Sequence, residues 1–79
     1  MKRFGEKLRM LRTTNNMTLI QLAEKLGYTT HSYLSEIEYG RKIPTVSLVL
    51  KVATLFNVTT DELLKDELDL RQIQNETKE

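Results

Sequence analysis

Residues 27–40 read GYTTHSYLSEIEYG and carry the chain's one histidine, His31, together with Ser32, Ser35, Glu36 and Tyr39. Placed at about 100° per residue, these five fall on one side of a helix, and Tyr33, Leu34, Ile37 and Glu38 fall on the other. The first side can donate and accept hydrogen bonds and has little bulk near its start. That chemistry suits recognition of a polar surface. Catalysis is a poor match: the chain has no cysteine, a single histidine, no paired carboxylates in a pocket-forming context and no Gly-rich phosphate loop. His31 has no second histidine and no cysteine with which to share a metal ion. No enzyme activity, cofactor, metal or small-molecule ligand is expected.

The stretch itself holds no Lys or Arg; Arg41 and Lys42 follow it directly. The formal net charge is +1, but its distribution is uneven. Residues 1–60 hold nine Lys/Arg and four Asp/Glu, and residues 61–79 hold three and seven. A basic body with an acidic tail is a charge asymmetry, for which a solvated surface with a polar tail is the plain alternative.

These side chains need helices to hold them. Phe4, Leu8 and Leu11 recur at helical spacing over about residues 2–14, and Asn15-Asn16 ends that pattern. Thr18-x-x-Gln21 is a capping box, followed by Leu19, Leu22, Ala23 and Leu26 on one face and Gly27 as a left-handed stop. Ala23 is small enough to let another helix approach closely. The next helix is capped at Thr29 or Thr30 and ends at Gly40. Pro44 fits the first turn of a fourth helix, whose apolar face is read as Val46, Val49, Leu50, Ala53, Leu55 and Phe56, with Asn57 as its C-cap. Thr59-x-x-Glu62 is a second capping box and opens a short fifth helix through Leu63-Leu64. Beyond Lys65 the chain is acidic and its pattern is weak, with Gln74 to Glu79 expected to fray. No strand or repeat stands out. The expected class is all-α with five short helices, a domain over 1–65 and an acidic tail over 66–79 that is available for a dimer contact.

A helix, a tight turn at Gly27 and a second helix form a helix-turn-helix pattern. Here the sequence resembles the Xre/Cro-type, phage-repressor-like DNA-binding family. The matching residues are MTLIQLAEKLG, SYLSEIEYG, PTVSLVLKVATLFNV and DELL, and the resemblance covers about residues 4–64. The run Ala23, Gly27, Leu34, Ile37, Glu38, Gly40, Pro44 makes it fairly specific. The stretch from Gly27 to Gly40 is one residue longer than the usual family spacing. Anchoring on Leu34, Ile37 and Glu38 favours Thr30 as the cap. Where the family commonly has a phosphate-touching Gln after the Thr18 position, this chain has Leu19.

The resemblance implies that the helix from about Thr30 enters the major groove of double-stranded DNA, N-terminal end first. Base edges would then meet His31, Ser32, Ser35 and Glu36. Serine donates or accepts at any base, His31 can donate to a purine N7 or guanine O6, and Glu36 can accept from cytosine N4. A carboxylate there also repels phosphates, which suits Glu36 to rejecting wrong sequences. Phosphate contacts are expected from Thr30, Tyr39, Arg41, Lys42 and Thr45, with Lys2, Arg3 and Arg9 as an electrostatic flank. Tyr33 is read as packing, and Tyr28 suits packing or backbone contact equally. The resemblance also implies an ion pair between Arg12 and Glu38, which lies at the border of the buried face. Family members usually bind near-palindromic sites as two-fold dimers. The apolar residues expected to remain once the core is filled, Phe56, Val58, Leu64, Leu68, Leu70 and Ile73, are the candidates for that contact.

The functional expectation is therefore a sequence-specific transcriptional regulator, a homodimer on duplex DNA. A protein-interaction module with the same fold and no specific DNA binding is the alternative, favoured by the modest net charge and by Leu19. The charged start MKRFGEKLRMLR, the lack of any run near about 20 apolar residues and the absence of cysteine suit a cytoplasmic protein.

Overall fold

The computed structural model describes residues 3–70. Five helices follow in order: α1 Phe4–Thr14, α2 Leu19–Leu26, α3 Ser32–Glu38, α4 Val46–Phe56 and α5 Thr60–Leu64. No strand occurs among the described residues.

Local chemistry sets most boundaries. Thr18 Oγ1 accepts from the Gln21 amide at 3.1 Å, and Gln21 Oε1 accepts from the Thr18 amide at 2.9 Å. Thr59 and Glu62 repeat this exchange at 3.0 and 2.9 Å. Each box satisfies backbone donors that a helix start leaves without partners. Four helices stop in the same manner. A left-handed residue at Asn16, Gly27, Gly40 or Asn57 turns the chain back, with φ of 57°, 86°, 77° and 56°. The next amide then donates to a carbonyl five residues earlier: Met17 to Arg12, Tyr28 to Ala23, Arg41 to Glu36 and Val58 to Ala53. These are Schellman-type stops, and Gly and Asn are the residues that tolerate them best.

Two boundaries differ from expectation. Thr30 does not cap α3. His31 already lies in the right-handed helical region (φ −97°, ψ 0°), and its carbonyl accepts the first helical bond, from Ser35 at 3.0 Å. The longer turn is absorbed before the helix, so α3 starts one residue later and has no side-chain cap. Pro44 is not in the first turn of α4 either. Thr45 is the N-cap, with Oγ1 accepting from the Leu48 amide at 3.1 Å, and this leaves Pro44 just outside the helix.

Packing joins α1 to α3 and α5, α2 to α3 and α4, and α4 to α5. α4 turns Leu48, Val49, Val52 and Phe56 inward. The expected inward positions Val46 and Leu50 are instead 75% and 53% exposed, because the helix rotates its stripe onto the 48/49/52/56 line. Seven residues are too few for a stable isolated helix. α3 is held by burial of Leu34 and Ile37, each contributing about 1.5–3 kcal/mol.

Beyond α5 the chain folds back along α1. Leu70 is buried, and Asp66 Oδ1 accepts from the Arg3 amide at 2.9 Å. Residues 66–70 thus pack with the domain. Lys7 explains the path: its ammonium is fully buried and donates to the carbonyls of Glu62, Lys65 and Leu68, the last two at 2.8 and 2.6 Å. Three donors meet three acceptors at and just past a helix C-terminus, where positive charge is favoured. Burial lowers the Lys7 pKa, and the positive charge of Arg3 lowers it further.

This packing changes the set of apolar residues left for a dimer. Phe56, Val58 and Leu70 lie in the core of the single chain, drawn there by the α4 stripe, the Asn57 turn and the fold-back. Leu64 stays half-buried and Leu68 is exposed, while Ile73 and the rest of the tail, 71–79, lie outside the described residues.

Candidate nucleic-acid interface

α3 presents the expected polar side. His31, Ser32 and Tyr39 are exposed, and Ser35 and Glu36 are half-buried along the flank. Thr30 stands exposed in the turn before the helix. The orientation of α3 is set from behind. Arg12 Nε donates to Glu38 Oε2 at 2.8 Å and Arg12 Nη2 to Glu38 Oε1 at 3.2 Å, while Nη1 donates to the Met17 carbonyl at 2.9 Å. The two side chains are only 15% and 6% exposed. This two-pronged grip ties the end of α1 to the end of α3, and its geometry is the strong form of the carboxylate–guanidinium contact.

Gly5 sets how close α1 comes to α3. A β-carbon there would lie 2.1 Å from the Ile37 carbonyl oxygen. Only the absence of a side chain allows this approach.

The cations are less free than their sequence positions suggest. Arg41 follows the Gly40 turn, with its guanidinium carbon 5.1 Å from the centre of the Tyr39 ring and Nη1 3.8 Å from Glu36 Oε2. The Lys42 ammonium lies 5.9 Å from the Tyr33 ring centre. Tyr33 packs at 5.7 Å between ring centres against Tyr28, which in turn carries the Lys51 ammonium at 4.7 Å. These are cation–π distances, and they link α3, the following loop and α4 through aromatic rings. Tyr33 Oη also accepts from the Thr45 amide at 3.3 Å. That amide is thereby occupied, so a phosphate contact by Thr45 would use its hydroxyl. Arg3 is engaged with its own chain, donating to Glu6 at 2.8 Å and to the Asp66 carbonyl at 2.8 Å. It adds little to an electrostatic flank, Arg9 remains exposed, and Lys2 lies outside the described residues.

Sequence reasoning overlooked Gly5, Lys7, the Tyr33 hydroxyl and the Glu36–Arg41 pair. The signal for Lys7 was present. Positions 4, 7, 8 and 11 form one helical stripe, and a lysine on that stripe has to find acceptors inside. Gly5, one residue into a helix, similarly marks a close approach. No spacing rule places Tyr33 Oη on the Thr45 amide.

Among the described residues there is no cluster of His, Cys, Asp or Glu able to hold a metal ion, and no helix is long and apolar enough to cross a membrane.

Comparison with known proteins agrees with this architecture. The helix-turn-helix family pattern matches residues 8–63. Over 64 residues the chain is 42% identical to the HTH-type transcriptional activator BcrR of Enterococcus faecalis, covering 81% of this chain but only 31% of BcrR. It is 33% identical to the SPbeta prophage-derived HTH-type transcriptional regulator YonR of Bacillus subtilis, covering 92% of this chain and 69% of YonR. The N-terminal DNA-binding domain of SinR from Bacillus subtilis superposes with a TM-score of 0.76 at 29% identity, over 85% of this chain and 97% of that one. The restriction-modification controller protein C.AhdI from Aeromonas hydrophila gives 0.70 at 32% identity, over 80% and 94%. With five helices of the same fold and a family match across most of its length, the chain belongs to the Xre-type, phage-repressor-like helix-turn-helix family.

Proposed function

We propose that this protein binds a specific, near-palindromic duplex DNA site as a homodimer and regulates transcription from it. The observation that carries the reading is the continuous polar surface from α3 into the α4 loop. His31, Ser32, Ser35 and Glu36 stand on one side of α3, and Arg41 and Lys42 follow across the Gly40 turn. In this reading His31 and Ser32 meet base edges first, and Ser35 and Glu36 one turn further along the helix. Thr30, Tyr39, Arg41, Lys42 and the Thr45 hydroxyl take phosphates, which give most of the sequence-independent affinity. Leu64 and Leu68 offer apolar surface for a second copy, and two copies read two half-sites about one helical turn apart.

Selection of bound sequences from random duplex DNA, with the size of the free protein measured in solution, tests this directly. A palindromic consensus and a dimer are expected. Absence of any salt-dependent duplex binding would instead leave a protein-interaction module with this fold.

A further inference from the structure

We infer that Glu36 sets the selectivity of this surface by competing with DNA phosphate for the Arg41 guanidinium. This rests on the DNA-binding reading above. The competition is built by the backbone. Gly40, at φ 77°, reverses the chain, and the Arg41 amide donates to the Glu36 carbonyl at 2.9 Å. Five residues apart in sequence, the two are thus neighbours across a closed turn. Nη1 of Arg41 then lies 3.8 Å from Glu36 Oε2, and the guanidinium rests 5.1 Å from the Tyr39 ring centre.

The other charges around α3 are placed elsewhere. Glu38 is gripped by Arg12. Lys42 lies against Tyr33. Among the described residues, the ion pair recorded for Glu36 is the one with Arg41.

The pair is built to open. The side chains are 37% and 66% exposed, and a pair of this kind is weak in water. Beside a duplex, Arg41 can leave Glu36 for a phosphate of any sequence. Doing so strands the carboxylate in a groove flanked by phosphates. A base that offers an amino donor, such as cytosine N4, resolves that conflict by partnering Glu36. Any other base leaves it, and the Arg41–phosphate contact is correspondingly discouraged. A contact that carries no sequence information by itself thereby becomes linked to base identity.

The test is a double-mutant cycle of Glu36→Gln, Arg41→Gln and both together. Each protein, with an unchanged unfolding midpoint, is titrated across salt concentrations with random-sequence duplex and with the selected site. For Glu36→Gln, affinity for random duplex should rise about three- to fivefold and the log–log salt slope should steepen by about one. The ratio of specific to random binding should fall. In the Arg41→Gln background the gain on random duplex should vanish. A gain of the same size in that background would overturn the inference, since Glu36 would then act only as a distant charge. An unchanged random-duplex affinity in Glu36→Gln, or an unchanged salt slope on the selected site in Arg41→Gln, would overturn it as well. Those failures leave the wild-type DNA binding intact, whereas loss of the DNA reading itself appears as a wild-type protein with no salt-dependent binding.

Discussion

The Arg12 guanidinium holds both carboxylate oxygens of Glu38, at 2.8 and 3.2 Å, and so fixes the end of α3 against the end of α1. Both side chains are largely withdrawn from water. Removing one partner leaves the other as an uncompensated charge. Arg12→Ala should cost about 3 kcal/mol of stability, the lower part of the range for breaking a buried pair. Urea denaturation followed by circular dichroism measures it. A variant with a wild-type melting temperature and lost DNA binding would show that Arg12 is instead a ligand for phosphate.

Gly5→Ala sets two effects against each other. Alanine favours a helix over glycine by about 1 kcal/mol. The added β-carbon would meet the Ile37 carbonyl oxygen at 2.1 Å, and both atoms are fixed to helix backbones that have little room to shift. Overpacking of this kind costs about 1–3 kcal/mol and occasionally more. The clash should win, lowering the urea midpoint and displacing α3. A stabilised Gly5→Ala protein would contradict the close approach of the two helices.

Lys7→Met keeps most of the length of the side chain and removes its three donors. The carbonyls of Glu62, Lys65 and Leu68 each lose the Lys7 hydrogen bond while Leu70 stays packed nearby. A loss of about 2–4 kcal/mol is expected, with faster amide exchange over residues 65–70. The pH dependence follows from burial, which lowers the Lys7 pKa in the fold. Between that lowered value and the ordinary lysine value, the unfolded chain binds the proton more tightly. The contribution of this group to stability therefore rises with pH through that window, and Lys7→Met should lack the rise. Identical alkaline stability profiles for the two proteins would count against it.

On the proposed DNA surface, substitutions at bases and at phosphates should separate. Ser32→Ala should cost about 1–3 kcal/mol on the selected site, relax one base position and leave the salt slope alone. Lys42→Gln should weaken all duplexes alike and reduce the slope by about one. Binding titrations at several salt concentrations distinguish the two. A uniform loss from Ser32→Ala would move that residue from base to backbone contact.

Much of the fold was legible because its signals are local. The capping boxes at Thr18 and Thr59, and the left-handed stops at Gly27 and Asn57, depend on hydrogen bonds within a few residues of chain. The polar side of α3 followed from helical periodicity alone, and His31 and Ser32 do stand exposed. The cap of α3 was misjudged. Two adjacent threonines offered a side-chain cap, yet the start of the helix is decided by where Leu34 and Ile37 must be buried. The apolar surplus assigned to a dimer was misjudged for a related reason. Hydrophobicity does not say whether Phe56, Val58 and Leu70 meet their own chain or another.

By itself, then, the sequence determined five helices, their stops and the polar character of one face, since these rest on backbone propensity and short-range hydrogen bonds. The tertiary structure decided which charges are spent. Packing placed Lys7 beneath the end of α5, Arg3 against Asp66 and Arg12 on Glu38. Groups 26 to 63 residues apart in sequence meet only once the helices have docked. Docking also strips away the water that would otherwise keep them independent, so the partner of each charge is a property of the packed chain.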